Sequence, residues 1–283
     1  MRVCFWHSDK PRERLLADAF IAGVKAHGDE GFARPLLPEP ELAECDVAVM
    51  VGVKSRPLFR MHWSAGIHLV YMDKGYTRHA ARSPVKLWEF WRVAIDAHQP
   101  TEYLMREDFP ADRWAALGLE FNPWRVRGAH IVLAGSSAKY HEFYGLTEPT
   151  TYYRKVIRHL RQVTSLPIIY RPKPSWRDAS PIEGAEYSVG GSIDEVLRGA
   201  HVLVTHGSNA CFEAVLAGVP CVVLGDAAAR PLGSVCLEGV NSPKLANLET
   251  REKWGRALAY CQWTMREFHD GAAWNYLRPR LLR

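Results

Sequence analysis

Short apolar runs alternate with stretches of helical spacing along nearly the whole chain, and this rhythm limits the available folds more than any other feature. Residues 2–6, 46–52 ("DVAVMVG") and 67–73 ("IHLVYMD") read as strands. Residues 12–26 read as a helix, with Leu15, Leu16, Ala19, Phe20, Ala22 and Val24 forming an apolar face. A second helix is expected over 85–97. The strands are continuously apolar rather than alternating, as strands covered on both faces are. Alternating strand and helix therefore argues for parallel sheets in an α/β fold.

"LGLEFNPWRVRG" (117–128), with Gly118, Pro123 and Gly128, breaks the rhythm and reads as a linker. It then restarts with a strand at 129–135 ("AHIVLAG"), a helix at 152–163 with Tyr153, Val156, Ile157 and Leu160 inward, and a strand in "LPIIYRPKP". A short helix at 193–197, strands at 201–205 and 220–224 around a helix at 211–217, and a long helical segment over 249–268 complete the pattern. Two tandem Rossmann-like, doubly wound parallel-sheet domains are expected, at 1–126 and 127–283, with the last helix able to return to the first.

At 283 residues the length suits two domains. Thirty-six Lys and Arg against 31 Asp and Glu leave a formal charge of +5, which tolerates a polyanionic partner without demanding one. The six cysteines contain no C-x-x-C pair and read as buried thiols in a reducing compartment. The N-terminal stretch becomes charged too soon for a signal peptide, and no apolar run approaches the ~20 residues that span a bilayer. A soluble, cytoplasmic protein is expected. The twelve histidines show no compact ligand spacing, so no metal site is expected.

In open α/β sheets ligands bind beyond the carboxyl ends of the strands, which selects four places. In "THGSNACFEA", Gly207 permits close backbone approach, while Ser208 and Asn209 can cap the following helix or bind a phosphate, with His206 beside them. A capping box ending at Glu213 would need Ser or Thr at 210, where Ala210 stands, so that box does not explain Glu213, which either suits the helix dipole by its first-turn place or holds ribose hydroxyls. In "YRPKP", Arg171 and Lys173 alternate on an extended segment and so point the same way, suiting a diphosphate or simply a solvated basic loop. Ser136 and Ser137 follow the strand that opens the second half, where they can cradle phosphate or merely turn the chain. Asp73, followed by Lys74, Tyr76, Arg78 and His79, is either a turn aspartate or a general base. Arg154, Arg158 and Arg161 line one helix face, which is a solvated face or a nucleic-acid stripe.

The second half resembles GT-B-fold glycosyltransferases of the capsule and Kdo type. Gly207, Ser208, Glu213, Ala214, Gly218 and Pro220 follow their G-[ST]-x-x-x-E-A-x-x-x-G-x-P arrangement, with one residue more between Ser208 and Glu213. "YRPKP" is similar to their basic, proline-bearing strand end. The resemblance spans about 129–226 and suggests a compact, viral-type member. It implies donor binding by the second domain and acceptor binding by the first, with Glu213 on the ribose, Ser208 and Asn209 on the phosphates, and Arg171 and Lys173 on the pyrophosphate. Asp73 enters by position alone, as the base for the acceptor hydroxyl.

The expected co-substrate is a nucleoside-diphosphate sugar such as a UDP-sugar, with no other cofactor and no metal. The acceptor is a glycan or a hydroxymethylated base in DNA. In the DNA case a flipped base could stack on Trp63, Trp88 or Trp91. A nucleotide-sugar 2-epimerase and a non-catalytic nucleotide-binding module are the rival functions.

Overall fold

A computed structural model describes residues 1–54, 56–79, 89–101 and 103–282. The chain divides into two compact units. Among the described residues the first unit holds 1–54, 56–79, 89–100 and 260–282, and the second holds 101 and 103–259.

The first unit is built on a six-stranded sheet. Its strands are β1 (Arg2–His7), β2 (Glu30–Pro35), β3 (Val47–Val51), β4 (His68–Lys74), β5 (Phe90–Ile95) and β11 (Gln262–Thr264), in the order β11-β5-β4-β3-β1-β2. β1 to β4 run parallel, while β5 and β11 pair antiparallel at one edge. Helix α1 (Pro11–Ala26) starts on a proline, whose missing N–H costs nothing at a first turn. It buries Leu16, Ala19, Phe20 and Val24 against the sheet, but Leu15 faces solvent at 60% exposure. Helix α2 (Arg56–Ser64) buries Leu58 in a core cluster with Cys4, Trp6 and Leu69, and buries His62 edge-on to Trp6.

Residues 90–95 correct the helix expected over 85–97. Residues 85–88 lie outside the described residues, and 90–95 form strand β5, rich in aromatic and β-branched residues, which pairs with β4 on one side and β11 on the other. The long helix expected over 249–268 is also corrected. It is α8 (Leu248–Tyr260), then β11, then α9 (Met265–His269), with α10 (Ala272–Leu281) following. Thr264 and Glu267 form a capping box that restarts the helix directly after β11. Gly23 allows α1 to meet this return segment, since a Cβ there would lie 2.0 Å from the Phe268 carbonyl oxygen. Asp29 fastens α10 by accepting from Trp274 Nε1 at 2.8 Å and Arg278 Nε at 2.7 Å.

The second unit has an all-parallel, five-stranded sheet: β6 (His130–Ala134), β7 (Ile168–Arg171), β8 (Glu186–Tyr187), β9 (Ala200–Thr205) and β10 (Cys221–Val223). Their order is β10-β9-β6-β7-β8. The helices are α3 (Asp112–Leu117), α4 (Ala138–Tyr144), α5 (Pro149–Val163), α6 (Ile193–Leu197) and α7 (Ala210–Leu216), with α8. Tyr153, Val156, Ile157 and Leu160 of α5 are buried against β6, β7 and β9, as their spacing requires. Residues 117–128, expected to link the domains, belong to the second unit, and 119–127 pack on its own elements. Asn122 N–H donates to Leu216 O, Arg125 to Leu197 O and Ala200 O, and Trp124 Nε1 to Ala246 O. Residues 103–126 thus cluster with the second unit rather than the first. No described helix is long and apolar enough to cross a membrane.

Candidate functional site

Strand order reverses direction between β6 and β9, and a crevice opens beyond the carboxyl ends of strands at such a switch point. Ser136, Ser137, His206, Gly207, Ser208 and Asn209 lie in the two loops that leave these strands. Thr205 ties the loops together: its hydroxyl donates to Ala134 O at 3.0 Å and accepts from Ser208 N–H at 2.9 Å. Ser208 Oγ accepts from Ala210 N–H at 3.3 Å and so supports the first turn of α7. Asn209 occupies the cap position without a side-chain cap bond. Ser136 N–H donates to Tyr153 Oη at 2.7 Å, while its own buried hydroxyl has no protein partner among the described residues. Ser137 stands at the cap of α4.

His206 sits among tyrosines. Its Nδ1 is 2.7 Å from Tyr152 Oη, and the rings of Tyr140, Tyr144 and Tyr152 surround it at 5.4–6.4 Å. Burial, helped by nearby His141 and Arg230, pushes its pKa down to about 4, so the imidazole is neutral at physiological pH. Gly207 is required by packing, because a Cβ there would fall 1.8 Å from Tyr140 Oη. This aromatic group was missed in the sequence, although the dense run "YHEFYGLTEPTTYY" (140–153) is its signature.

Glu213 is 5% exposed, and its Oε2 has no partner among the described residues. Burial, with a contribution from Asp194, raises its pKa to about 8. Glu213 is one of the residues lining a cavity of about 650 Å³ whose walls include Asn122, Arg125, Asp194, Arg198 and Leu216. A buried acid with an unpartnered oxygen keeps hydrogen-bonding capacity that a ligand hydroxyl can use.

Arg171 and Lys173 do not form the cationic pair expected from "YRPKP". Arg171 is the last residue of β7 and only 7% exposed, and its guanidinium donates to Gly190 O and Gly191 O, each at 2.7 Å. Its fork is spent on backbone carbonyls. Lys173 is exposed and makes no ion pair with a described residue.

Asp73 belongs to the first unit, at the end of β4. Its Oδ2 accepts from Tyr71 Oη at 3.2 Å and meets Arg92 Nη2 at 3.5 Å, and it remains 37% exposed. Of the aromatics considered for base stacking, Trp91 is 4% exposed and committed to the core, Trp63 is on the surface, and Trp88 lies outside the described residues. The side chains of Arg78 and His79 also lie outside them.

The first unit has its own switch point, between β1 and β3, where the sequence reading placed nothing. There Glu13, 6% exposed, accepts from Ser8 N–H at 3.0 Å and Ser8 Oγ at 2.6 Å and pairs with Lys54. Burial alone would raise its pKa, but Lys54 and Ser8 together hold it below the ordinary glutamate value. Nothing in the sequence distinguishes Glu13 from an ordinary first-turn acid of a helix. Among the described residues no cluster of three His, Cys, Asp or Glu is placed to hold a metal ion.

Comparison with known proteins bears on the fold. No family model matches the chain, and no curated protein sequence matches it. Solved structures do. The chain is similar to the β-Kdo 2,7 transferase of Thermosulfurimonas dismutans KpsC, with a TM-score of 0.57 at 12% identity over 99% of this chain and 100% of that one. It is also similar to the β-Kdo 2,4 transferase of the same KpsC, with a TM-score of 0.50 at 13% identity over 91% of this chain and 90% of that one. The fold is that of GT-B glycosyltransferases, two Rossmann-type α/β units in one chain.

Proposed function

We propose that the protein is a glycosyltransferase that takes its sugar from a nucleoside-diphosphate donor bound to the second unit. The observation that carries this reading is Glu213: a buried carboxyl with one unpartnered oxygen, on the helix that follows the switch-point loop and on a residue that lines a neighbouring cavity. Vicinal ribose hydroxyls supply the partners Glu213 lacks. The small residues of the 206–209 loop, together with Ser136 and Ser137, take the phosphates. Exposed Lys173 provides a positive charge for the departing diphosphate. Likeness in fold to two enzymes named as Kdo transferases supports sugar transfer as the reaction class.

In the reaction the bond from the anomeric carbon to the phosphate oxygen breaks, and the nucleoside diphosphate keeps the electron pair. An acceptor oxygen, of a glycan or a hydroxymethylated DNA base, bonds to that carbon. Its proton passes to Asp73, whose carboxylate is held by Tyr71 and Arg92. The test is incubation with UDP-sugars and candidate acceptors, following product by mass spectrometry. Sugar transfer by the wild type, reduced about 100-fold or more in Asp73→Asn while UDP binding persists, is the expected outcome. Isomerised donor without transfer would refute the reading.

A further inference from the structure

Arg171 stands where a phosphate contact was expected, yet both guanidinium branches are used. They donate to two consecutive carbonyls, Gly190 O and Gly191 O, from a site that is 7% exposed. Both glycines lie in the left-handed region, at φ +77° and +60°, a conformation open to glycine at little cost. The turn is closed from outside by Glu195, whose Oε2 would lie 2.2 Å from a Cβ on Gly191. Ser192 follows directly and caps α6 by accepting from Glu195 N–H at 3.3 Å. Asp194 in the first turn of α6, then Leu197 and Arg198, form one wall of the cavity that Glu213 lines. A continuous chain of contacts thus runs from the end of β7 to that wall.

We propose that Arg171 is a positioning residue of the donor site: its fork fixes the Gly190–Gly191 turn and, through Ser192, the wall that α6 presents to the cavity beside Glu213. This rests on the reading of that cavity as the donor site. The requirement is for a planar fork spanning two carbonyls rather than for positive charge. A lysine keeps the charge but offers one compact ammonium in place of two rigidly spaced donors. A direct phosphate contact has the opposite signature, because lysine serves phosphate well as a point charge.

The experiment compares wild type, Arg171→Lys, Gly190→Ala and Lys173→Ala, using UDP as the probe. Isothermal titration at two salt concentrations is combined with backbone hydrogen exchange. Gly190→Ala perturbs the turn from its open side, where a Cβ meets nothing within 4 Å. Arg171→Lys is expected to weaken UDP binding at least tenfold, leave its salt dependence unchanged, and speed exchange of amides 189–195 at least tenfold. Exchange in β6 and β9 should stay at the wild-type rate. Gly190→Ala should show the same pattern more weakly, whereas Lys173→Ala should flatten the salt dependence without touching exchange in the turn. UDP affinity within twofold of wild type in Arg171→Lys, or unchanged exchange at 189–195, overturns the positioning role. Where UDP does not bind, TDP, ADP or GDP takes its place as the probe, and failure of the wild type to bind any of the four overturns the donor-site reading, and the proposal with it.

Discussion

Replacing Glu213 with glutamine keeps the side-chain shape and removes the titration, so the pH dependence of its effect measures the environment of this carboxyl. In the unfolded chain Glu213 ionises near its ordinary 4.5, whereas in the folded chain burial holds the proton until about pH 8. Between these values the folded state binds more protons than the unfolded state, so wild-type stability falls as pH rises and levels off above about 8. The interval is about 3.5 pH units, and each unit corresponds to ~1.4 kcal/mol, giving roughly 5 kcal/mol as an upper bound. Glu213→Gln escapes this loss. Its amide brings a fixed cost of about 1–3 kcal/mol for an imperfectly paired group, which offsets the comparison equally at every pH. Urea denaturation of both proteins at half-unit intervals from pH 5 to 9 should show the variant gaining steadily on wild type up to about pH 8, and then no further. A stability difference independent of pH would refute the account of a buried, proton-holding acid.

Two further substitutions probe the packing behind the sites. Gly207→Ala places a Cβ 1.8 Å from Tyr140 Oη and 2.4 Å from its Cζ, so it should destabilise by about 1–3 kcal/mol. Tyr140→Phe in the same chain should recover only part of that, as calorimetry would show. Lys54→Ala leaves the Glu13 carboxylate buried without its cation and should cost about 3 kcal/mol or more at neutral pH. Adding Glu13→Gln should restore most of it, because the uncompensated charge is gone.

The second unit was largely legible in the sequence because its strands are uniformly apolar and its loops carry glycine and serine where strands end. The helix at Ile193–Leu197 and the inward face of α5 follow directly from spacing. Residues 90–95 and 262–264 did not, because β5 and β11 become strands through each other. Trp91 pairs with Trp263 across a long separation in sequence that no local period reports. Arg171 shows a different limit. Alternation placed it beside Lys173 on one side of an extended segment, but burial beneath the Gly190–Gly191 turn decided what its guanidinium touches. Glu213 was identifiable as an acid without a capping partner, while its depth and vacant oxygen needed the folded structure. The tyrosines around His206 were visible as composition, but their convergence came only from α4 and α5 meeting the β9 loop.

Whether a nucleotide occupies the second unit's switch point is tested most directly by a hydrogen-exchange footprint of the wild-type chain with UDP, TDP, ADP and GDP. At least one of them should slow exchange at 135–137 and 206–213 while leaving β1 to β4 unchanged. Protection by none of the four, or protection confined to the first unit, would contradict the donor site proposed here.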